Sequence, residues 1–280
     1  MKKDPTTNNK LDITFGTPLP TDLSSLRSLW QEAFGDSDKF LDSFFNTAYD
    51  AKRCRVATID GNVVAALYWF NGEIYNKPIA YIYAVATATN YRRLGICSKL
   101  MENTHIHMKT LGYSGVILSP ADDNLTKFYE KLGYNVCSHI HEFSCDANLS
   151  KAYPPVDIRN IAKQEYGILR RQFLPPNGVI QENENLDFLE TQCSFYAGSD
   201  FLLAAYKDVD TLHGIELLGN TNFALSITSA LQCEKGIFRC PKGDKVFAMF
   251  YSLSDSIFSK SDNYSLETDT TNIYIGFIFD

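Results

Sequence analysis

The sequence predicts an α/β (α+β) protein whose mixed, mostly antiparallel central sheet is flanked by helices. Residues 54–86 contain short β-rich runs separated by turn signals, which is typical of an antiparallel meander. From residue 86 to 144, strand-like and helix-like segments alternate. The order of elements after residue 157 loosely repeats the order before it, so we expect a second, smaller α+β unit that is a degenerate copy of the first.

Composition limits the function classes. The 280 residues have 45% hydrophobic content, which is ordinary for a globular protein. The net charge of −7 argues against nucleic acid or an anionic membrane as the main partner, since both require a basic face. Seven cysteines without a CxxC pair argue against a disulfide framework or a zinc site. The first ten residues lack the apolar stretch of a signal peptide, so we expect a cytoplasmic protein with reduced thiols and no metal.

The elements of the first half follow from apolar periodicity and from cap and turn residues. Asp22 is a candidate cap for the first helix, and Asp60-Gly61 and Asn71-Gly72 are turn signals. A later helix is capped by Asp122, Asp123 or Asn124. The predicted order is strand 11–15, helix 23–34, helix 37–49, strand 54–59, strand 62–70, strand 79–86, helix 96–111, strand 116–119, a helix ending at 132, and strand 134–144.

A linker is predicted where two adjacent prolines and small polar residues interrupt the chain, in DANLSKAYPPVD. We therefore expect a first domain over 11–146, a linker over 147–157 and a second domain over 158–280. The second half predicts helices 157–173, 184–196 and 222–231, with strands 201–206, 212–218, 236–240, 245–252 and 273–279.

The turn between strand 79–86 and helix 96–111 is the candidate ligand site. It carries Arg92, Arg93 and Gly95 directly before the helix. The first amides of a helix have no internal partner and the helix dipole is positive there, so this end suits a pyrophosphate flanked by guanidinium groups. The alternative is a basic turn whose glycine serves only backbone geometry.

These residues resemble the Gcn5-related N-acetyltransferases. That family has Arg or Gln, two variable residues, Gly, one variable residue, then Gly or Ala; this chain has Arg92-Arg93-Leu94-Gly95-Ile96-Cys97, so Arg92 and Gly95 match and Cys97 departs. A second family motif is similar to Asn124 followed by Phe128-Tyr129-Glu130-Lys131-Leu132-Gly133-Tyr134. The resemblance covers about 11–145 and implies an acyl-CoA N-acyltransferase fold.

The resemblance also implies a role for each matched residue. Tyr129 would donate a proton to the departing thiolate of coenzyme A, because a phenol stays protonated at neutral pH. Alone, Tyr129 would be interpreted as a core aromatic. The residues expected to bind acetyl-CoA, through backbone or side chain, are Val85, Thr87, Arg92, Arg93, Gly95, Ile96, Cys97 and Asn124.

The general base is missing from its usual place, since strand 79–86 has no carboxylate and Glu73 is a poor geometric candidate. The arrangement also resembles the enhanced-intracellular-survival type, which pairs an active unit with a degenerate one and uses a C-terminal carboxylate as the base. That resemblance implies Asp280 as the base. Residues 150–280 lack a second Arg-x-x-Gly-x-Gly/Ala motif. Whether this half is a degenerate acetyltransferase or a sterol-carrier-like unit stays open, with the former favoured.

The predicted function is direct transfer of an acetyl group from acetyl-CoA to a primary amine of a small molecule or peptide. The alternative is a catalytically silent acyl-CoA sensor or protein-interaction module, which Cys97 and the missing strand carboxylate favour. Sheet-rich halves with exposed edges are compatible with a homo-oligomer.

Overall fold

The computed structural model describes residues 12–254 and 272–279. Leu11, predicted to begin the first strand, lies outside the described residues. The strands are β1 Ile13–Gly16, β2 Cys54–Ile59, β3 Asn62–Ile74, β4 Lys77–Thr87, β5 Gly115–Leu118, β6 Asn135–Asp146, β7 Arg159–Ile161, β8 Ser194–Ala197, β9 Phe201–Asp208, β10 Thr211–Gly219, β11 Lys235–Pro241 and β12 Lys245–Ser252. The helices are α1 Leu23–Phe34, α2 Asp38–Thr47, α3 Ile96–Thr110, α4 Asp123–Lys131, α5 Lys163–Phe173, α6 Glu184–Glu190 and α7 Ala224–Ala230.

All described strands join one sheet in the order β1-β2-β3-β4-β5-β12-β6-β11-β10-β9-β8-β7. The pairs β4–β5 and β10–β11 are parallel, and the other neighbours are antiparallel. The order is symmetric. If each strand of the first half (β1 to β6) exchanges its label with the corresponding strand of the second half (β7 to β12), the same order is obtained when the sheet is read from its other edge. The two halves therefore share a topology and exchange their last strands, because β12 lies between β5 and β6 while β6 pairs with β11.

The strand exchange matters for the domain division over 11–146 and 158–280, which stays a prediction. No regular helix or strand lies between Asp146 and Arg159 in the described chain. Nevertheless β12, from the second half, fills the gap between two strands of the first half. Met249 of β12 is fully buried in the same cluster as Leu100 and Met101 of α3. The core of the first half is thus completed by the second.

Side chains from the two faces of the sheet form different cores. On one face, α3 and α4 pack over alternate residues of β3 and β4 such as Trp69 and Ile82. On the opposite face, α1, α2 and α6 cover Phe70 and Tyr81. This alternation follows the period of two in strands. The face covered by α1 and α2 is unusually aromatic.

One predicted feature of the first half needs correction. The turn predicted at Asn71-Gly72 is wrong, because β3 continues to Ile74 and the chain turns at Tyr75-Asn76, both with positive φ. The Asn71 amide donates to Glu184 Oε1 at 2.8 Å, and Asn185 Nδ2 donates to the Asn71 carbonyl at 2.8 Å. Partners more than 100 residues away therefore override the local turn signal.

Three predicted elements of the second half are also wrong in extent. Helix 157–173 begins only at Lys163, because Arg159–Ile161 pairs with β8. Helix 184–196 ends at Glu190, because Ser194–Ala197 pairs with β9. Residues 273–279 are not a strand, apart from one isolated bridge between Tyr274 and Gly178, although they are buried as expected.

Candidate functional site

Strand β4 bends where the sheet opens. Ala84 and Val85 together lie opposite Leu67 of β3, since Tyr68 pairs with Tyr83 and Ala66 with Ala86. This extra residue is a β-bulge, and Ala84 has a φ of 48°. Bulges bend and twist the strand that carries them and are common next to active sites.

The bend separates β4 from its parallel neighbour. β4 pairs with β5 only from Ile79 to Tyr81 among the described residues. The remaining part of β4, Ile82–Thr87, therefore presents backbone groups at an open edge within the sheet. Val85 and Thr87, predicted to hold the pantetheine arm, lie on this open part and are half-buried. An edge of this kind can accept an extended ligand as an added strand.

The turn after β4 leads directly into the start of α3. Arg92 Nε donates to the Thr87 carbonyl at 2.9 Å, so this side chain folds back onto the end of β4. Arg93 and Gly95 have φ values of 63° and 75°, in the left-handed region. A Cβ on Gly95 would meet no atom within 4 Å, so the glycine serves the backbone conformation and leaves open space beside it.

The start of α3 offers unpaired amides. The Lys99 amide donates to the Gly95 carbonyl at 3.2 Å, which makes Gly95 the cap residue. No side chain caps this end, so the amides of Ile96, Cys97 and Ser98 precede the first intrahelical donor. Ile96 itself is buried against the sheet. The predicted pyrophosphate residues are thus grouped at one helix end with an open approach.

Helix α4 carries the predicted acid. Asp122 caps it, with Oδ1 accepting from the Leu125 amide at 2.8 Å, and Asn124 lies exposed in its first turn. Tyr129 is only 6% exposed and packs against Phe128. Burial, together with the nearby Cys97 thiol, raises the pKa of Tyr129 well above 10, so the phenol is protonated at neutral pH.

Cys97, in the first turn of α3, packs against the buried cluster that contains Tyr129, in the second turn of α4. Burial raises the pKa of Cys97 to about 11. A thiol with that pKa is neutral near pH 7 and is a poor nucleophile. The arrangement therefore offers a neutral proton donor beside the helix start and does not offer a reactive thiolate.

Two groups near this turn had no distinctive sequence signal. Glu32 of α1 accepts a hydrogen bond from the Thr89 amide at 2.6 Å and links α1 to the turn. Hydrogen bonding from Thr89 and, to a smaller extent, the Arg92 charge lower the pKa of Glu32. Tyr83, beside the bulge, has its ring 5.5 Å from Trp30 and 5.8 Å from Phe279 between centroids. The abundance of Phe and Tyr was the only available hint of this ring cluster.

The structure places the carboxylate candidates differently. Glu73 pairs with Pro78 at the far end of β3, whereas Ala65 pairs with Thr87 at the open end, so about 26 Å of strand separates them. Glu73 is therefore not part of the site. Asp280 lies outside the described residues. In the described ranges, no three His, Cys, Asp or Glu side chains converge as metal ligands, and none of the described helices is long and apolar enough to cross a membrane.

Known proteins share this architecture. The chain is similar to a GCN5-related N-acetyltransferase from Kribbella flavida, with 18% identity, a TM-score of 0.68, and coverage of 86% of this chain and 71% of that one. It is similar to a GCN5-related N-acetyltransferase from Anabaena variabilis, with 14% identity, a TM-score of 0.70, and coverage of 86% of this chain and 73% of that one. It is also similar to Eis1 from Mycobacterium abscessus, with 11% identity, a TM-score of 0.64, and coverage of 87% of this chain and 74% of that one. No curated protein matches the chain.

At these identities the structural likeness shows the fold, and it confirms the predicted sheet flanked by helices. The likeness extends over most of the chain and so includes the second half. The family model of the acetyltransferase (GNAT) domain matches residues 19–137, which include the β4 bulge, the turn and α4. This match supports the resemblance that the two motifs of the first half predicted.

Proposed function

We propose that the protein transfers an acetyl group from acetyl-CoA directly to a primary amine at the opening between β4 and β5. One observation carries this proposal. The open edge of β4 leads through a short turn into the uncapped start of α3, and Cys97 in that first turn packs against the cluster that contains the protonated Tyr129 phenol. An extended thioester ligand with a pyrophosphate and a leaving thiolate requires these three features together.

Acetyl-CoA fits the residues present. Its pantetheine arm would lie along the backbone of Val85 and Thr87, and its pyrophosphate would be held by the amides of Ile96 and Cys97 at the open space beside Gly95. Arg92 and Arg93 are exposed at this end and would add positive charge. Asn124, exposed at the start of α4, would contact the pantetheine or phosphate region.

The chemistry is a direct displacement. The amine nitrogen forms a bond to the acetyl carbon, the carbon–sulfur bond breaks, and Tyr129 gives its proton to the leaving sulfur. Because burial keeps this phenol protonated, the donor is ready across the neutral range. The protein contributes mainly orientation, which shortens the search for a reactive geometry.

The amine must lose a proton, and we propose Asp280 as the group that accepts it. The preceding residue supports this proposal, because the Phe279 ring lies 5.8 Å from the Tyr83 ring on β4. Extending the chain by a short tag beyond Asp280 should sharply lower turnover while leaving acetyl-CoA binding intact. Unchanged turnover would remove Asp280 from the mechanism.

A second candidate is an acyl-CoA sensor or interaction module without turnover. Two observations favour this candidate: Cys97 occupies the position where the motif has Gly or Ala, and β4 carries no carboxylate.

The cellular compartment is a separate proposal. All seven cysteines are free, which supports a reducing compartment such as the cytoplasm.

Calorimetry with acetyl-CoA, followed by an assay over a panel of amines, separates the two candidates. We expect Arg92→Ala to weaken acetyl-CoA binding by about tenfold, since one charge-assisted contact is worth about 1.4 kcal/mol or more. Arg159→Ala, which removes an exposed guanidinium far along the chain, is the matched control. Tight binding without turnover on any amine would favour the sensor, and absence of binding would reject both.

A further inference from the structure

Residues 273–279, called the strap here, cross from the second half onto the first. The Ile273 amide donates to the Cys137 carbonyl at 2.7 Å. The Tyr274 carbonyl accepts from the Val179 amide at 2.7 Å, and the Phe277 amide donates to Gln181 Oε1 at 3.1 Å. Every side chain of the strap is buried. The strap is therefore a fixed part of the fold despite lacking regular secondary structure.

A buried charged group holds the strap in place. Glu216, on β10, is fully buried and accepts from Arg170 Nε at 2.8 Å and Nη2 at 3.0 Å. It also accepts from Tyr166 Oη at 2.7 Å and from Tyr274 Oη, in the strap, at 3.0 Å. The Arg170 guanidinium lies 4.2 Å from the centroid of the Phe277 ring, also in the strap.

Gly276 shows how closely the strap fits this group. A Cβ at Gly276 would lie 1.6 Å from Glu216 Oε1 and 2.8 Å from Arg170 Nη2. Only a residue without a side chain can pass here. The register of the strap is thus fixed at Tyr274, Gly276 and Phe277, and this register determines where Phe279 lies.

The end of the strap reaches the face of β4 that is opposite to α3 and α4. The Phe279 ring lies 4.6 Å from Phe70 of β3, 5.0 Å from Phe188 of α6 and 5.8 Å from Tyr83 of β4, between centroids. Tyr83 is half-buried and immediately precedes the bulge residue Ala84. Phe279 therefore borders the opening of the sheet from the side that carries α1, α2 and α6, opposite to α3 and α4.

From these contacts we propose that the strap forms a wall of the acceptor site and that Phe279 and Tyr83 select the acceptor. This inference rests on the proposed function, which assigns the α3 and α4 side of the opening to acetyl-CoA. The amine must then approach from the opposite side, where the half-buried Tyr83 ring and the edge of the mostly buried Phe279 ring can interact with an ammonium group and its apolar substituent. The acceptor class is a monoamine carried on an aromatic or alkyl group, with phenethylamine as the probe. Glu216 and Tyr274 are positioning residues.

The test compares kinetics for phenethylamine and for spermidine, together with calorimetric binding of acetyl-CoA. Phe279→Ala should raise the KM for phenethylamine by about tenfold, as expected for loss of a buried aromatic contact, and leave the acetyl-CoA Kd within about twofold. Phe279→Leu, which keeps most of the volume, should restore most of the affinity. A KM that does not change, or a preference of the parent for spermidine, would overturn the proposal.

The positioning role is tested with Tyr274→Phe, which keeps the ring and removes the hydroxyl that reaches Glu216. We expect kcat/KM for phenethylamine to fall about fivefold, with unchanged acetyl-CoA Kd. Tyr206→Phe, which makes the same change at an exposed tyrosine of β9, should have no effect. A parallel loss of acetyl-CoA binding would contradict positioning, because a general loss of folding would then explain the result.

Failure of the proposed function can be told apart from failure of this inference. If the parent binds acetyl-CoA but acetylates no amine, transfer is rejected, and the wall is then judged by phenethylamine binding alone. Trp30 lies 5.5 Å from Tyr83 between ring centroids, so its fluorescence should respond to an amine bound there. A response that Phe279→Ala abolishes would support the wall, and no response in the parent would reject it.

Discussion

Replacing Glu216 with alanine should strongly destabilise the protein. The change removes the acceptor of four hydrogen bonds, two from Arg170 and one each from Tyr166 and Tyr274, in a site where Arg170 is only 2% exposed. An uncompensated charge is then left buried, which costs about 3–5 kcal/mol. With an m value of about 3 kcal/mol/M for a chain of this size, the urea midpoint should fall by about 1 M or more.

The matched control is Glu182→Ala, which breaks the exposed pair with Arg171 and should cost less than about 1 kcal/mol. A double variant, Arg170→Met with Glu216→Leu, removes both charges and should recover most of the stability. Urea unfolding followed by circular dichroism measures all three. If Glu216→Ala costs no more than Glu182→Ala, the buried group does not hold the strap as described.

The remaining predictions concern pH and the exchanged strand. Burial lowers the pKa of His105 from 6.5 to about 4, so between those values the unfolded chain binds a proton that the folded chain does not. Stability should therefore fall by about 2 kcal/mol from pH 7 to pH 5, and His105→Gln should lack this part of the pH slope in urea unfolding. Equal slopes would contradict the buried neutral histidine. A fragment of residues 1–157 should fail to bind acetyl-CoA in calorimetry, because it lacks β12. In the whole chain β12 pairs with β5, and its Tyr251 ring stacks on His105 with 4.2 Å between the ring centroids. A fragment that folds and binds acetyl-CoA would show that the first half does not need β12.

The local signals of the first half were sufficient for most of its fold. The predicted strand Cys54–Ile59 matches β2, and the helix predicted to begin at Ile96 begins there. Asp122, one of three candidate caps, is the cap of α4. These elements are specified by residues a few positions apart, such as caps, turns and apolar periodicity. The residues of the β4–α3 turn are contiguous, so the sequence also predicted that they would be grouped.

Features made by distant residues could not be predicted in this way. The bulge at Ala84 has no glycine to mark it, and the opening of the sheet depends on how far β4 follows β5. The insertion of β12 between β5 and β6 joins residues more than 100 positions apart. The linker signal before residue 158 is local, and it does not reveal that the sheet continues across the boundary.

The positions of the aromatic rings on the face of the sheet covered by α1 and α2 could not be predicted from local sequence either. Abundant Phe and Tyr favoured core packing, and the described core contains ten buried Phe and six buried Tyr residues. The position of Phe279 beside Tyr83 depends on the register imposed by Gly276 and Glu216, which are 60 residues apart in the sequence. The apolar run in 273–279 predicted burial correctly, but the same run was wrongly interpreted as a strand. Hydrogen bonds to the side chains of Glu216 and Gln181, together with a few backbone bonds, take the place of a continuous strand ladder there.

The most direct test of the central claim is release of free coenzyme A from acetyl-CoA over an amine panel, with the parent compared with Tyr129→Phe. We expect turnover by the parent and a fall in kcat of about 100-fold in the variant, the usual contribution of a positioned proton donor, with unchanged acetyl-CoA affinity. Equal turnover by both proteins would contradict the role of Tyr129, and no turnover by the parent on any amine would contradict acetyl transfer itself.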